Sequence, residues 1–319
     1  MKKLLKPERL GFGDTVGLIA PASPPPDPQA IDRAAAALEQ CGFKPRLGKN
    51  IRARHGFLAG GDRERAADLM AMFTDKKVKA IFCLRGGYGS ARILDRLDYE
   101  VIRRHPKILA GYSDITSLHF ALVKTVNLVS FHAPMWNSEL NDPKTPEFTR
   151  DSFFRTVMEA KPAGSILAGG DGKATTVLRR GSAEGRLIGG NLSLLCASLG
   201  TPWQPSFKGR ILFFEDVGEK PYRLDRMLTQ LLNAGILQQV AGVAVGVNQD
   251  CEDPNAKTGG EYRQTAADVM QERLATLRVP VVTGLPFGHV DFNVTLPVGG
   301  LAQLDGRRGD LVITEAAVC

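Results

Sequence analysis

Cysteine and histidine are scarce in this chain of 319 residues, which contains five of each. The cysteine count is odd and no Cys-x-x-Cys pair occurs. This pattern argues against a disulfide framework and against a structural zinc site. We therefore expect no structural zinc site and a reducing, cytoplasmic compartment.

Long apolar runs are also missing. No stretch approaches the roughly 18 apolar residues of a membrane-spanning helix. The basic start, Met1 to Lys6, is followed by Pro7 and charged residues rather than by the apolar run of about 7–15 residues that a signal peptide needs. We expect neither a signal peptide nor a membrane partner.

Clusters of positive charge are absent, although the formal net charge is +7. The 41 basic residues are spread along the chain, whereas a nucleic-acid interface needs them gathered on one surface. We expect no nucleic-acid partner and interpret the charge as solvated surface that helps to attract an anionic substrate.

Buried strands alternate with helices in the first half of the chain. Three apolar runs, Thr15–Ala20, Val78–Leu84 and Lys107–Ala110, are each followed by turn residues and a helical pattern. Such alternation predicts an α/β fold with a parallel sheet covered on both faces. In these sheets functional groups gather at the carboxyl ends of the strands.

The length fits two domains better than one. Residues 141–180 are rich in Pro, Gly and charge, and we predict a linker there with some local helix around Thr149–Met158. The predicted domains are residues 1–140 and 181–319. The tail, 294–315, has turn residues typical of β-hairpins.

Ser113 is the first candidate catalytic residue. It lies in Gly111-Tyr-Ser-Asp114, between a predicted strand and a predicted helix, where a tight turn can expose a nucleophilic hydroxyl. The Gly-x-Ser-x-Gly pattern is not matched, because Ile115 stands at the second Gly position. The alternative is that Ser113 or Asp114 caps the following helix.

A serine nucleophile needs a base, usually histidine. His289 lies in a loop directly after a predicted strand, which is a plausible active-site position. His132 ends another strand and is a rival base or a substrate contact. His119 falls within the helix after Ser113, where a structural role is expected.

Glu215 is the candidate acid, because a carboxylate at the end of the apolar strand Arg210–Phe214 needs a partner. Asp216 and Glu219 compete for this role. The chain order Ser113, Glu215, His289 matches that of many α/β hydrolases, although geometry and not order defines a triad.

The glycine-rich turn Arg85-Gly-Gly-Tyr-Gly89 offers a backbone N–H for an oxyanion hole, since glycine allows close approach. A dinucleotide site is rejected, because Arg92 occupies the third glycine position and no acidic residue opens a ribose site.

The sequence resembles the muramoyl-tetrapeptide LD-carboxypeptidases and their relatives, the microcin C self-immunity peptidases. The matching segments follow the family's order over almost the whole chain: Val16–Ser23, Arg85–Gly89, Gly111–Thr116, His132–Pro134, Gly189–Asn191, Phe214–Asp216, Tyr222–Arg226 and Gly284–His289.

The resemblance implies a catalytic triad of Ser113, His289 and Glu215, with oxyanion donors at Asp114 and Gly86. It implies a flavodoxin-like N-terminal domain, a smaller C-terminal domain with a barrel-like sheet, no metal or other cofactor, and a homodimer. The implied reaction releases D-Ala from cytoplasmic murein tetrapeptide during cell-wall recycling. We expect Arg85 to bind the D-Ala carboxylate.

Two other functions remain open. The first is hydrolysis of aminoacyl or peptidyl nucleotide amides, for which Trp136 or Trp203 would contact the nucleobase. The second is non-catalytic binding of a small ligand in the same α/β cleft.

Overall fold

The first part of the structure, a computed structural model that describes residues 3–170, 174–253 and 264–319, contains a six-stranded sheet. Its strands are β1 (Thr15–Ile19), β2 (Lys44–Leu47), β3 (Val78–Cys83), β4 (Ile108–Ala110), β5 (Ser130–His132) and β12 (Leu296–Val298). Five of them are parallel in the order β2-β1-β3-β4-β5, and β12 joins antiparallel beside β5. The order 2-1-3-4-5 is that of flavodoxin-like folds, which confirms the predicted fold class.

Helices cover this sheet on both faces because their apolar residues recur at helical spacing. The helices are α1 (Ala30–Gln40), α2 (Asp62–Thr74), α3 (Tyr99–Arg104) and α4 (Thr116–Val126), with 3₁₀ helices at Ser90–Arg96 and Ser113–Ile115. In α1, for example, Ile31, Ala34 and Leu38 are buried against the sheet.

The segment predicted as a linker carries regular structure. Helix α5 (Glu147–Met158) lies where local helix was predicted. It buries Phe153 against Phe82 and Trp136 in the hydrophobic core beside the first sheet, which we call the first core. Two strands that were not predicted, β6 (Gly164–Ser165) and β7 (Thr176–Arg179), form the two edges of the second sheet. The domain limits at 140 and 181 stay a prediction.

The second sheet has eight strands. Besides β6 and β7, the elements of this part are β8 (Ser182–Asn191), β9 (Ile211–Glu215), β10 (Gly242–Val245), β11 (Val281–Thr283), β13 (Leu301–Asp305), β14 (Asp310–Ile313), α6 (Leu192–Ala197), α7 (Pro221–Asn233) and α8 (Ala266–Leu274). The strand order is β6-β14-β13-β8-β9-β10-β11-β7, and β8 to β11 are parallel.

An ideal Cβ on Gly242 in β10 would lie 3.0 Å from Leu304 in β13, although β8 and β9 separate these strands. The sheet therefore curls onto itself, as a barrel-like sheet does.

The tail connects the two sheets. β13 and β14 form the predicted hairpin, but β12 pairs with β5 of the first sheet, with Leu296 opposite His132. Val318, one residue before the end of the chain, is buried in the first core. In the described ranges, no helix combines the length and the apolar character needed to cross a bilayer.

We predict that Gly189→Ala strongly destabilises the protein. An ideal Cβ on Gly189 would lie 1.7 Å from the carbonyl oxygen of Phe213 in β9, so β8 and β9 would have to separate. We expect the free energy of unfolding to fall by about 3 kcal/mol or more, measured by urea denaturation. Gly11→Ala is the control, because its Cβ would meet only Asp14 at 3.6 Å. Equal stability of the two variants would contradict the close contact between β8 and β9.

Candidate active site

Ser113 occupies a strained turn at the carboxyl end of β4. Its φ is 61°, in the left-handed region that residues other than glycine rarely adopt, and such conformations cluster at functional sites. The residue at the N-cap of α4 is Ile115, with no side-chain capping hydrogen bond. Neither Ser113 nor Asp114 therefore caps that helix, and the capping alternative is wrong.

The glycine-rich turn lies directly against Ser113. An ideal Cβ on Gly86 would lie 3.1 Å from Oγ of Ser113 and 3.2 Å from the backbone nitrogen of Asp114. Both distances are shorter than most real Cβ contacts, so a side chain at position 86 would push against Ser113. The turn and the serine are thus neighbours, as predicted from the ends of adjacent parallel strands.

Asp114 fixes the two turns to each other through its side chain. Its buried carboxylate accepts a hydrogen bond of 2.7 Å from the backbone N–H of Ser90, and the Ser90 hydroxyl donates to the Asp114 carbonyl at 2.5 Å. Burial raises the pKa of Asp114. The carboxylate of Asp114 thus has a structural task. The group of Asp114 that can donate to an oxyanion is its backbone N–H.

Two arginines hold the loops around the glycine-rich turn. Arg85 is partly buried and donates to the Pro24 carbonyl at 3.0 Å. Arg65 is almost completely buried and donates to the carbonyls of Pro21 and Gly89, and it also pairs with Asp62. The sequence contains no signal that separates Arg65 from the other basic residues on helices, so its contribution to the site was not predicted.

Glu215 and His289 form a hydrogen-bonded pair. Glu215 ends β9 and is completely buried, and its Oε2 lies 2.7 Å from Nδ1 of His289, whose side chain is 21% exposed. Gly288 allows this contact, because it has a φ of 118° and an ideal Cβ would lie 3.0 Å from the Glu215 Cβ. The predicted partnership of these two side chains is thus present in the geometry.

The pKa of each partner reflects burial and the other's charge. Burial raises the pKa of Glu215, against the opposing effect of the His289 hydrogen bond. For His289, burial acts to lower the pKa, but the hydrogen bond and the charge of Glu215 outweigh it and raise the pKa above its ordinary value.

The competing carboxylates have other partners. Asp216 accepts hydrogen bonds from the backbone N–H and the hydroxyl of Ser193 and from the amide of Asn191, at the start of α6. Glu219 pairs with Arg223 one helical turn further on. Neither side chain is the hydrogen-bond partner of His289.

The rival histidines lie in the core. His132 is completely buried, and burial lowers its pKa well below the ordinary value. His119 is hydrogen-bonded to the Gly111 carbonyl at 2.8 Å and to the Ser130 hydroxyl at 2.9 Å, so it supports the serine turn structurally. These positions leave His289 as the partly exposed imidazole beside the serine turn.

Contacts on both sides of Ser113 bring the serine turn to the Glu215–His289 pair. The ring of Tyr112 packs on the ring of His289 with centroids 4.7 Å apart. The backbone N–H of Asn191 donates to the Thr116 hydroxyl at 3.0 Å, and its amide lies 3.5 Å from Glu215. The site therefore combines side chains from both sheets.

A cavity of about 610 Å³ opens beside His289. Its walls combine apolar residues, among them Val247, Pro286 and Phe292, with the polar residues Gln249 and Asp291. In the part of the chain that is described, no group of three or more His, Cys, Asp or Glu side chains could hold a metal ion. Of the three candidate triad residues, His289 lines this cavity, whereas Ser113 and Glu215 are not part of its walls.

Comparisons with known proteins identify relatives over the whole chain. The family model for the LD-carboxypeptidase N-terminal domain matches residues 16–133, and the model for the LD-carboxypeptidase C-terminal domain matches residues 184–304. A protein of Bacillus subtilis (strain 168), named "Probable murein peptide carboxypeptidase", is 40% identical over 98% of this chain and 95% of its own length.

Solved structures show the same architecture. The crystal structure of muramoyltetrapeptide carboxypeptidase from Oxalobacter formigenes aligns with a TM-score of 0.81 at 33% identity, covering 94% of this chain and 99% of that one. The structure of MccF in complex with glutamyl sulfamoyl guanosine aligns with a TM-score of 0.87 at 24% identity, covering 99% and 100%. The second likeness concerns the fold alone.

We predict that Gly86→Ala lowers turnover by about 10²–10³-fold while the protein stays folded, because the new methyl group displaces Ser113 and the adjacent backbone donors. Steady-state kinetics on a peptide substrate and a thermal melt measure the two effects. Gly61→Ala is the matched control, since its Cβ would meet only the flexible end of Glu64 at 3.5 Å. Parent-level turnover of Gly86→Ala would contradict the close approach of the two turns.

Proposed function

This chain belongs to the LD-carboxypeptidase family, and from that premise we propose that it releases the terminal D-Ala from murein tetrapeptide in cell-wall recycling. The observation that carries the proposal is the buried Glu215–His289 hydrogen bond beside the strained turn of Ser113. These are the side chains of a serine hydrolase triad.

The proposed mechanism begins with proton transfer. The bond to Glu215 places a proton on Nδ1 of His289 and leaves Nε2 to accept the proton of Ser113. The serine oxygen attacks the amide carbonyl at the L-centre of the diamino acid, and Glu215 stabilises the imidazolium that forms. His289 then protonates the leaving amine, D-Ala departs, and water hydrolyses the acyl-enzyme.

We propose that the backbone N–H groups of Gly86 and Asp114 bind the oxyanion. The proximity of Gly86 to Ser113 Oγ and to the Asp114 nitrogen supports this assignment. Asp114 and Ser90 hold the donors in place before reaction, and such preorganisation is what makes an oxyanion hole effective.

Arg85 is our proposed partner for the D-Ala carboxylate. Its Nη1 holds the Pro24 carbonyl, and its Nη2 lies beside Gly87 on the same turn as Gly86. A guanidinium on the residue directly before Gly86 offers the paired N–H donors that suit a substrate carboxylate.

The geometry gives less support to hydrolysis of nucleotide amides. Trp136 is 1% exposed and stacks on Phe82 with ring centroids 5.8 Å apart, so it does not offer a surface to a nucleobase. Trp203 packs on Tyr99 at 5.3 Å. The two tryptophans considered for that role are thus engaged with neighbouring rings.

We further propose that the protein acts in the cytoplasm as a homodimer. All five cysteines are free thiols in the structure, which suits a reducing compartment. The dimer is implied by the family resemblance, and sedimentation of the purified protein would measure it.

We predict that Ser113→Ala lowers D-Ala release from murein tetrapeptide by about 10⁴-fold or more, with the thermal midpoint close to that of the parent. Ser198→Ala is the matched control, because its hydroxyl serves only the end of α6. Release of D-Ala by Ser113→Ala at the parent rate would refute the proposed nucleophile.

Competition between murein tetrapeptide and an aminoacyl sulfamoyl-adenylate as substrates would separate the peptidase from the nucleotide-amide hydrolase.

Replacing Glu215 with Gln should change both the rate and its pH dependence. Neutral His289 is the active form, so kcat/KM falls as pH drops through the His289 pKa. Glu215 raises that pKa, and its neutral replacement should therefore move the acid limb of the kcat/KM profile to lower pH. Turnover should fall on the order of 10⁴-fold, because the imidazole loses its orientation. An unchanged acid limb would contradict the assignment of His289 as the base.

A further inference from the structure

The His289 ring packs against Tyr112, a side chain outside the proposed triad, and Tyr112 is in turn bonded to Glu139. Tyr112 packs on the ring with centroids 4.7 Å apart and an angle of 54° between the planes. Its hydroxyl donates to Oε1 of Glu139 at 2.5 Å. Glu139 in turn accepts hydrogen bonds from the Met135 backbone N–H at 2.9 Å and from the Ser138 hydroxyl at 2.5 Å.

We propose that Tyr112 and Glu139 are positioning residues for His289. Together they hold the imidazole in the orientation that its hydrogen bond to Glu215 sets. The proposal rests on the proposed function of the Ser113 site. It assigns a task to Glu139, in the irregular segment that follows β5, which the sequence did not single out.

A single hydrogen bond to Nδ1 leaves the imidazole free to tilt about that contact. The ring of Tyr112 restricts the tilt from one face, and it is itself fixed because it is buried and anchored through its hydroxyl. Burial keeps the pKa of Tyr112 well above its ordinary value, so the phenol stays a neutral hydrogen-bond donor. Since Tyr112 directly precedes Ser113, the same residue links the nucleophile turn to the base from the other sheet.

The charge of Glu139 also acts on His289. The groups whose charge acts on the imidazole are Glu215 at the end of β9, Asp216 directly after it, His132 of β5, and Glu139, and Tyr112 packs on its ring. Glu215, Glu139 and Asp216 all raise the pKa of His289. A neutral amide at position 139 should therefore lower it, whereas loss of a purely structural contact should not.

The first test measures the His289 pKa without turnover. The imidazole signal is titrated by NMR in Ser113→Ala protein and assigned by comparison with His289→Asn. We expect Glu139→Gln to lower the His289 pKa by about 0.5 or more. Glu64→Gln is the matched control, because Glu64 also accepts a backbone N–H, from Gly61, away from the imidazole. The same pKa in Glu139→Gln and in the parent would overturn the electrostatic part of the proposal.

The second test measures turnover. Tyr112→Phe keeps the ring but loses the bond to Glu139, and we expect kcat to fall about tenfold with KM nearly unchanged; Tyr112→Leu loses the ring and should cost about 10²-fold. Tyr99→Phe is the control, a tyrosine whose hydroxyl donates to the Leu94 carbonyl elsewhere. A thermal melt identifies any variant that is unfolded. If Tyr112→Leu is unfolded, the result for Tyr112→Phe decides the test.

The proposal that Tyr112 and Glu139 position His289 would be overturned by two results together. These are a parent-level kcat in folded Tyr112→Phe and an unchanged His289 pKa in Glu139→Gln. Failure of the proposed function would show separately, as parent-level D-Ala release by Ser113→Ala. The NMR titration would still decide whether Glu139 acts on His289, because it does not depend on catalysis.

Discussion

The hydrogen bond between Glu215 and His289 brings a completely buried carboxylate and a partly exposed imidazole to 2.7 Å. A carboxylate at the end of an apolar strand costs several kcal/mol unless a partner and further hydrogen bonds satisfy it. The chain meets this need with His289, with the amide of Asn191, and with a glycine at 288 that lets the histidine loop approach. In the proposed triad, the contact that satisfies the buried carboxylate is also the contact that orients the base.

The contact also depends on how the two sheets are joined. The serine turn follows β4 of the first sheet, whereas Glu215 ends β9 of the second sheet and His289 lies in the loop after β11. Strand β12 pairs with β5, and Gly190 packs so closely on Thr116 that an ideal Cβ would lie 2.3 Å from its hydroxyl oxygen. Close contacts of this kind join the two sheets next to the site and place the Ser113 turn beside His289.

Much of the site could be predicted from the sequence because chemistry-bearing residues follow apolar strands. Glu215 is the last residue of β9, and Ser113 lies in the turn after β4, at the ends where a parallel sheet gathers functional groups. The residues that escaped prediction act through tertiary contacts. Arg65 is one arginine among many on helices, Glu139 lies in an irregular segment, and the pairing of β12 with β5 joins parts of the chain more than 160 residues apart. Strands β6 and β7 were not predicted, because elements so short gain stability only from the sheet they join.

The most direct test of the proposed triad is to locate the acyl group during turnover. The protein is mixed with murein tetrapeptide and quenched in acid within the first turnover, and its peptides are mapped by mass spectrometry. We expect the peptide containing Ser113 to carry the acyl group left after D-Ala departs. Release of D-Ala with the acyl group on another residue, or at the parent rate from protein lacking the Ser113 hydroxyl, would contradict the assignment of Ser113 as the nucleophile.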